Sequence, residues 1–333
     1  MRSIMLCNDA NSVHYVYSDE MLAELSDIAG LDDAIYSKDD VLAAPGAFSD
    51  VDYAFSTWGM PAFEEEEIRR IFPNMKCVFY GAGSVQAFAR PFLNCGVKVF
   101  SAWAANAVPV AEYTVAQIIL ANKGFFLTSR LHKAQDHEGS YREKRFYPGN
   151  YGASVGIIGA GMIGKLVIQM LKAYNLPVKV FDPFLPDETA AKLGVPKCSL
   201  EEVFSTCQVL SNHLANNAQT IGMLNGPLFA SMIPYATFLN TGRGAQVVED
   251  DLVQILTVRP DLTAILDVTY PEPPEKDHPF YALPNCWLTP HIAGSSGDEV
   301  HRMAEYMIEE FKLHVAGQPC QYEVSLEMLK TMA

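Results

Sequence analysis

The sequence predicts an α/β protein made of two doubly wound, largely parallel sheets, on three observations. Its 333 residues exceed the roughly 100 to 200 of a single domain, so two cores are expected, each large enough to fold without disulfides or a structural metal. Short β-rich runs alternate with stretches of helical periodicity from end to end, the pattern of strands joined by crossover helices. The second half holds six strand candidates in series, enough for a complete doubly wound sheet.

Taken in order, the first hundred residues place strands at 3–7, 53–58, 77–80 and 97–101, with amphipathic helices between them. Residues 106–123 carry apolar side chains at helical spacing with no breaker after Pro109, and read as one long, largely buried helix. The stretch 124–150 is polar, mixed in charge and closes on Pro148-Gly149-Asn150, which reads as a solvated arm. The second series of strands lies at 155–158, 178–182, 208–211, 236–240, 263–268 and 286–289. Before the third of them, Ser199-Leu200-Glu201-Glu202 has capping-box spacing, in which serine oxygen and glutamate carboxylate satisfy the free amides of a first helical turn.

Lys and Arg number 24 against 39 Asp and Glu, a formal net charge of −15. Such a field repels polyanions, so neither nucleic acid nor an anionic membrane is an expected partner, and an anionic ligand would need a local arginine. Seven scattered cysteines without a CxxC pair suit free thiols and a reducing compartment. The apolar run at 4–7 is too short for a signal-peptide core, and the uncharged stretch 203–242 is too polar for a span, so a soluble cytoplasmic protein is expected.

The strand at 155–158 runs directly into Gly159-Ala160-Gly161-Met162-Ile163-Gly164 and then a helical segment. In that context Gly159 allows the tight turn, Gly161 lets backbone amides approach a pyrophosphate at the positive helix end, and Gly164 lets helix and strand pack closely. The next strand ends at Asp182-Pro183, about 20 residues on, where a carboxylate can accept the adenine-ribose hydroxyls of NAD and repel the 2′-phosphate of NADP. With no Lys or Arg among 183–186, NAD is the expected cofactor. Strands one to three should hold its adenine half and strands four to six its nicotinamide half.

The ends of those last three strands carry Arg243, Glu272 and His291. Singly each has a plain reading as a surface ion pair, a loop charge or a strand cap; together they suit hydride transfer beside a carboxylate. Arg243 would fork onto the carboxylate and steady the carbonyl, because its planar guanidinium offers paired donors. His291 would give a proton to the alkoxide left by hydride arrival and take it back in the reverse direction. Glu272, if paired with His291, would favour the charged ring.

These motifs, VGIIGAGMIG (155–164), FLNTGRGAQVVEDDL (238–252), AILDVTYPEPP (264–274) and LTPHIAGS (288–295), resemble the D-isomer-specific 2-hydroxyacid dehydrogenases. The resemblance implies that Arg243, Glu272 and His291 are the catalytic set and that Asp267 holds the nicotinamide carboxamide. It also implies that Gly159, Gly161, Met162, Ile163, Gly164, Asp182, Pro183, His213, Thr241, Gly242 and Gly294 line NAD. Gly81-Ala82-Gly83-Ser84-Val85 looks like the family loop whose amides grip the substrate, which makes Gly83, Ser84, Val85 and Asn106, with Arg243, the implied substrate contacts. Family members commonly have Asp where Ser84 or Val85 stands and Pro where Leu214 stands, and the formate-oxidising branch has Gln where this chain has Glu272. The implied fold is a pair of Rossmann-like domains, an NAD-binding one at 105–293 inserted into a smaller flavodoxin-like substrate domain at 1–104 and 294–333. A homodimer formed through 106–150, with 124–150 as the arm, is implied as well. The expected activity is NADH-dependent reduction of a small, unphosphorylated 2-keto acid such as glyoxylate, hydroxypyruvate or pyruvate. The alternative is an NAD-sensing interaction protein on the same fold, with little turnover.

Overall fold

The computed structural model describes residues 1–330, in two compact units: Met1–Asn106 with the segment from Ser295 onward, and Ala107–Gly294. All seven cysteines are free thiols.

The first unit is built on a six-stranded sheet. Its parallel strands are β1 (Ser3–Leu6), β2 (Leu31–Tyr36), β3 (Tyr53–Ser56), β4 (Cys77–Tyr80) and β5 (Lys98–Ser101). In space they run β5-β4-β3-β1-β2, and the two residues Glu323–Val324 add an antiparallel edge against β5. β1, β3 and β4 are buried at every residue, so each reads as a continuous apolar run. β2, LDDAIY, escapes the sequence reading because it is an edge strand with only Leu31 buried and Asp33 and Ala34 in water; the half-buried Asp32 pairs with Arg2 at 2.7 Å. Phe79 stacks between Phe55 and Phe100 at centroid distances of 5.2 and 4.9 Å, and Phe311 of the helix His301–Val315 meets Phe79 edge-on. Each such buried ring contributes about 1.5–3 kcal/mol of burial.

The second unit has parallel strands β6 (Val155–Ile158), β7 (Val178–Phe181), β8 (Val209–Asn212), β9 (Thr237–Asn240), β10 (Thr263–Leu266) and β11 (Cys286–Leu288). Successive residues go to opposite faces: Val155, Ile157, Val209, Leu239 and Ile265 to one core, Ile158, Leu210, Phe238, Ala264 and Leu266 to the other. Helices cover both faces, which makes the sheet doubly wound.

The spatial order β7-β6-β8-β9-β10-β11 takes the third strand out of the half expected for strands one to three. The third strand lies beyond β6 rather than beside β7, so the order reverses between β6 and β8, and on the outer side of β7 the described residues place an isolated bridge from Val180 to Lys197. Beside that switch point the capping box is half formed. Ser199 Oγ accepts the Glu202 amide at 3.1 Å, but the Glu202 carboxylate turns away to Lys179 at 3.0 Å, a charged donor outbidding a neutral amide.

The long helix is Trp103–Asn122, and its Ala111, Val115, Ile118 and Ala121 enter the second unit's core. It is the one helix among the described residues long and apolar enough to cross a membrane, and half of its apolar window is buried inside the protein. The stretch after it is largely exposed beyond Leu131, as a solvated arm would be, but it is helical rather than a loop. It forms helices Phe125–Lys133 and His137–Glu143, then folds onto the Tyr235 turn, where Phe146 stacks on Tyr235 at 4.9 Å and the Tyr235 hydroxyl donates to Glu143 at 2.8 Å.

Candidate active site

In the second unit the site begins at the carboxyl end of β6. Gly159 has φ +92°, and a Cβ there would stand 2.9 Å from the His213 carbonyl. Side chains other than glycine pay for that conformation, and the close approach closes the position further. A Cβ on Gly164 would overlap the Gly159 carbonyl oxygen, so the helix Met162–Leu171 can lie this near the strand only with glycine there. Gly161, by contrast, faces open space and caps the helix with no side chain, leaving the amides of the first turn without a side-chain acceptor. That is an anion cradle at the positive helix end. Asp182 closes it, accepting the Ala160 amide on one carboxylate oxygen and the Phe184 amide on the other, both at 2.8 Å. Each oxygen keeps a lone pair for a ribose hydroxyl. Pro183 and Phe184 beside it are exposed. The turn, the bare helix end and the carboxylate together fit a dinucleotide.

Arg243 follows β9 on the turn Asn240-Thr241-Gly242-Arg243-Gly244. Its guanidinium is largely buried and donates to the Gly242 carbonyl at 2.7 Å. Burial pulls its pKa down from the ordinary value while the nearby Glu272 charge pushes it up. A Cβ on Gly244 would overlap the Thr269 backbone, which seats the turn against the end of β10. His213 lies buried between Ser211 Oγ (2.8 Å from Nε2) and Thr241 Oγ1 (3.2 Å from Nδ1), and burial pushes its pKa down to about 3, so the ring is neutral. Beneath the turn lies a buried trio of amides, Asn212, Asn240 and Gln246, that the sequence reading passed over. The available signal was an Asn at the end of each of two otherwise apolar strands, where a buried amide must find partners.

His291 and Glu272 meet after β11 and β10. Nδ1 of His291 stands 2.6 Å from Glu272 Oε1, and Nε2 has no partner among the described residues. His291 adopts φ +53°, an uncommon conformation for a residue with a side chain. Asp267, 2% exposed, holds it there: its carbonyl accepts the His291 amide at 3.0 Å, and its carboxylate accepts Thr289 Oγ1 (2.6 Å) and the amides of Ile292 (2.8 Å) and Ala293 (3.0 Å). Tyr113 Oη extends the chain to Thr289 at 3.1 Å. These bonds make Asp267 an anchor of the His291 loop, which continues to Gly294. Neither Thr289 nor Tyr113 was singled out from sequence. Glu249, also passed over, accepts the Tyr270 amide at 2.9 Å, and burial pushes its carboxyl up to about 7.

The remaining candidates lie in the first unit. The amides of Gly83, Ser84 and Val85 donate to no group among the described residues, while the Val85 side chain is fully buried in the core. Asn106 flanks Gly83, but its Oδ1 is committed to the Ser295 amide at 2.9 Å, leaving Nδ2 as its free donor. Met60 and Trp103 pack on the core, whereas Trp58 is 36% exposed and stacked on Tyr15.

Residues 115–293 match the family model described as D-isomer specific 2-hydroxyacid dehydrogenase, NAD binding domain. Among curated proteins the chain is 33% identical over 205 residues to the putative 2-hydroxyacid dehydrogenase YoaD of Bacillus subtilis, covering 60% of this chain and 59% of that one. It is 39% identical over 142 residues to glyoxylate/hydroxypyruvate reductase A of Serratia proteamaculans, covering 42% and 45%. The match to a D-3-phosphoglycerate dehydrogenase of Mycobacterium tuberculosis spans 42% of that protein, so the chain spans about two fifths to three fifths of the curated relatives it matches. Among solved structures it resembles the D-mandelate dehydrogenase of Rhodotorula graminis, with a TM-score of 0.80 at 18% identity over 97% of each chain, a likeness of fold.

Proposed function

The chain belongs to the D-isomer specific 2-hydroxyacid dehydrogenase family, whose NAD binding domain its second unit carries, and from that premise we propose that it interconverts a small, unphosphorylated 2-keto acid and the D-2-hydroxy acid with NAD(H). The observation that carries the reading is the His291–Glu272 pair at 2.6 Å, which leaves Nε2 without a partner among the described residues, together with a half-buried Arg243 near enough to feel the Glu272 charge.

Gly159 to Gly164 and Asp182 would hold the cofactor, with His213, Thr241, Gly242, Asp267 and Gly294 on the nicotinamide side. NADH, when bound, supplies the hydride. Arg243 binds the carboxylate of the keto acid and polarises its carbonyl, a task for which a dehydrated guanidinium is well suited because fewer waters compete for its donors. His291 donates the Nε2 proton to the carbonyl oxygen as the carbon accepts the hydride, and Glu272 on Nδ1 fixes the ring orientation and stabilises the imidazolium before transfer. Asp267 keeps the His291 loop in place. In the first unit we assign the free amides of Gly83, Ser84 and Val85, with Asn106 Nδ2, to recognition of an anionic substrate. Among the site residues assigned above Arg243 is the one lasting cation, which favours an unphosphorylated acid. We further propose a homodimer through 106–150, supported by Phe125, Tyr141 and Phe146, which are 45 to 56% exposed on that stretch; a monomer in solution would refute it.

NADH oxidation at 340 nm against glyoxylate, hydroxypyruvate, pyruvate, 2-oxobutyrate and phenylpyruvate tests the activity, with His291→Ala in parallel. Turnover that His291→Ala abolishes supports the reading. Turnover untouched by that substitution, or NADH binding with no turnover on any acid, counts against it.

A further inference from the structure

We propose that Gln246 is a positioning residue that sets Arg243 for the substrate, an inference that rests on the reading of Arg243 as the substrate's cation. Gln246 is fully buried, and its side-chain amide uses all of its hydrogen-bonding capacity. Oε1 accepts the Arg243 amide at 3.1 Å and Asn212 Nδ2 at 2.6 Å; Nε2 donates to the carbonyls of Leu214 at 2.8 Å and Ala215 at 3.0 Å. Only one orientation satisfies two donors on one side and two acceptors on the other, so the group is locked.

Its partners define what it does. Arg243 stands between Gly242 and Gly244, the two residues least able to hold a backbone in one conformation by themselves. Among the described residues the guanidinium has one hydrogen bond, to the Gly242 carbonyl, so its placement follows that of the backbone beneath it. Gln246 takes the Arg243 amide, and Asn240 Nδ2 donates to the Arg243 carbonyl at 3.2 Å while its Oδ1 accepts the Gly242 amide at 3.1 Å. Asn212 bridges the two, donating to Asn240 Oδ1 at 2.9 Å as well as to Gln246. The contact is close: a Cβ on Gly242 would fall 2.7 Å from Gln246 Oε1. Through Leu214 and Ala215 the same amide ties the Arg243 turn to the loop that follows His213. A buried network of this kind specifies one geometry because any partial loss leaves donors or acceptors unpaired in a dry place.

The test uses the full-length protein with glyoxylate and hydroxypyruvate as substrates and oxamate as an unreactive keto-acid analogue. Gln246→Leu, which keeps volume and removes all four bonds, is expected to lower kcat/KM at least tenfold, chiefly through KM, in a protein that still folds. In an Arg243→Ala background the same substitution is expected to add less than twofold, because there is no guanidinium left to misplace. Equal factors in both backgrounds, or an unchanged KM, overturn the inference. Should Gln246→Leu fail to fold, Gln246→Glu decides. It keeps the acceptor towards Arg243 but sets an oxygen against two carbonyls unless it is protonated, so its activity relative to the wild type should rise as pH falls; a flat ratio overturns the proposal. Wild-type protein that binds NADH but shows neither turnover nor Arg243-dependent oxamate binding overturns the functional reading and this inference with it. Arg243-dependent turnover with an additive cycle overturns the inference alone.

Discussion

Asp267→Asn is the substitution that bears most directly on how the site is held. The carboxylate accepts three hydrogen bonds at 2.6 to 3.0 Å, two on Oδ1 and one on Oδ2, and the residue is 2% exposed. Asparagine can keep its oxygen where Oδ1 was, retaining Thr289 and Ile292, but its NH2 then faces the amide of Ala293, which is itself only 3% exposed. The flipped amide keeps Ala293 and can donate to the Thr289 hydroxyl, but sets NH2 against the amide of Ile292, so either orientation leaves one backbone amide unpaired. One charge-assisted hydrogen bond is therefore lost and a buried donor is left unpaired, a cost of about 1.5–3 kcal/mol. At about 1.4 kcal/mol per tenfold, a middle value of about 2 kcal/mol corresponds to roughly 30-fold in a local opening equilibrium. Hydrogen exchange read by mass spectrometry on peptides covering 286–294 should show that loss of protection, with β9 unchanged as an internal reference. The left-handed backbone of His291 depends on the same anchor, so kcat should fall at least tenfold alongside. Exchange within twofold of the wild type together with full kcat would refute the argument that Asp267 holds the loop.

The two glycines after β6 should separate fold from cofactor: Gly164→Val is expected to lose thermal stability and NADH binding together, whereas Gly161→Val, entering open space, should keep its melting temperature and lose NADH affinity by fluorescence titration. Asp182→Ala should weaken NADH binding tenfold or more and leave NADPH binding nearly unchanged, so that the ratio of the two dissociation constants collapses; an unaltered ratio would remove Asp182 from cofactor choice. The Glu249 carboxyl, raised by burial from 4.5 to about 7, binds its proton more tightly in the folded state. Its stabilising contribution is thus complete below pH 4.5 and is lost as pH rises to 7. Glu249→Gln, which keeps an acceptor for Tyr270, should match the wild type at pH 4.5 and exceed it above pH 7 by on the order of 2–4 kcal/mol in urea unfolding. His213 has the opposite sign. Held neutral with a pKa lowered from 6.5 to about 3, it contributes stability above pH 6.5 that is lost as pH falls towards 3, and His213→Asn should flatten that part of the acid unfolding curve.

Much of this was legible in the chain itself. The alternation of strands and helices, the turn at Gly159 with its close neighbour at Gly164, and Arg243, Glu272 and His291 at the ends of successive strands are all local patterns. Each depends on residues within a few positions of one another, and steric or periodic rules act at that range. The errors lie where local rules are silent. β2 was missed because an edge strand with two aspartates lacks an apolar run, and the helices within 124–150 were missed because their placement depends on the Tyr235 turn, about 90 residues away in sequence.

What only the tertiary structure decided is which residues face one another. That Gln246 takes the Arg243 amide while Asn212 links it to Asn240, that Asp267 takes the amides of Ile292 and Ala293 in the His291 loop, and that β8 lies beside β6 rather than beyond β7 all follow from strand order and register, not from composition. Hydrogen bonds are short and directional, so a buried amide or carboxylate takes its role from partners that sequence separation does not reveal. Apolar periodicity needs no such partner, since burial depends on area and not on direction. That difference is why the strands and glycine turns could be read from the chain and the polar scaffold of the site could not.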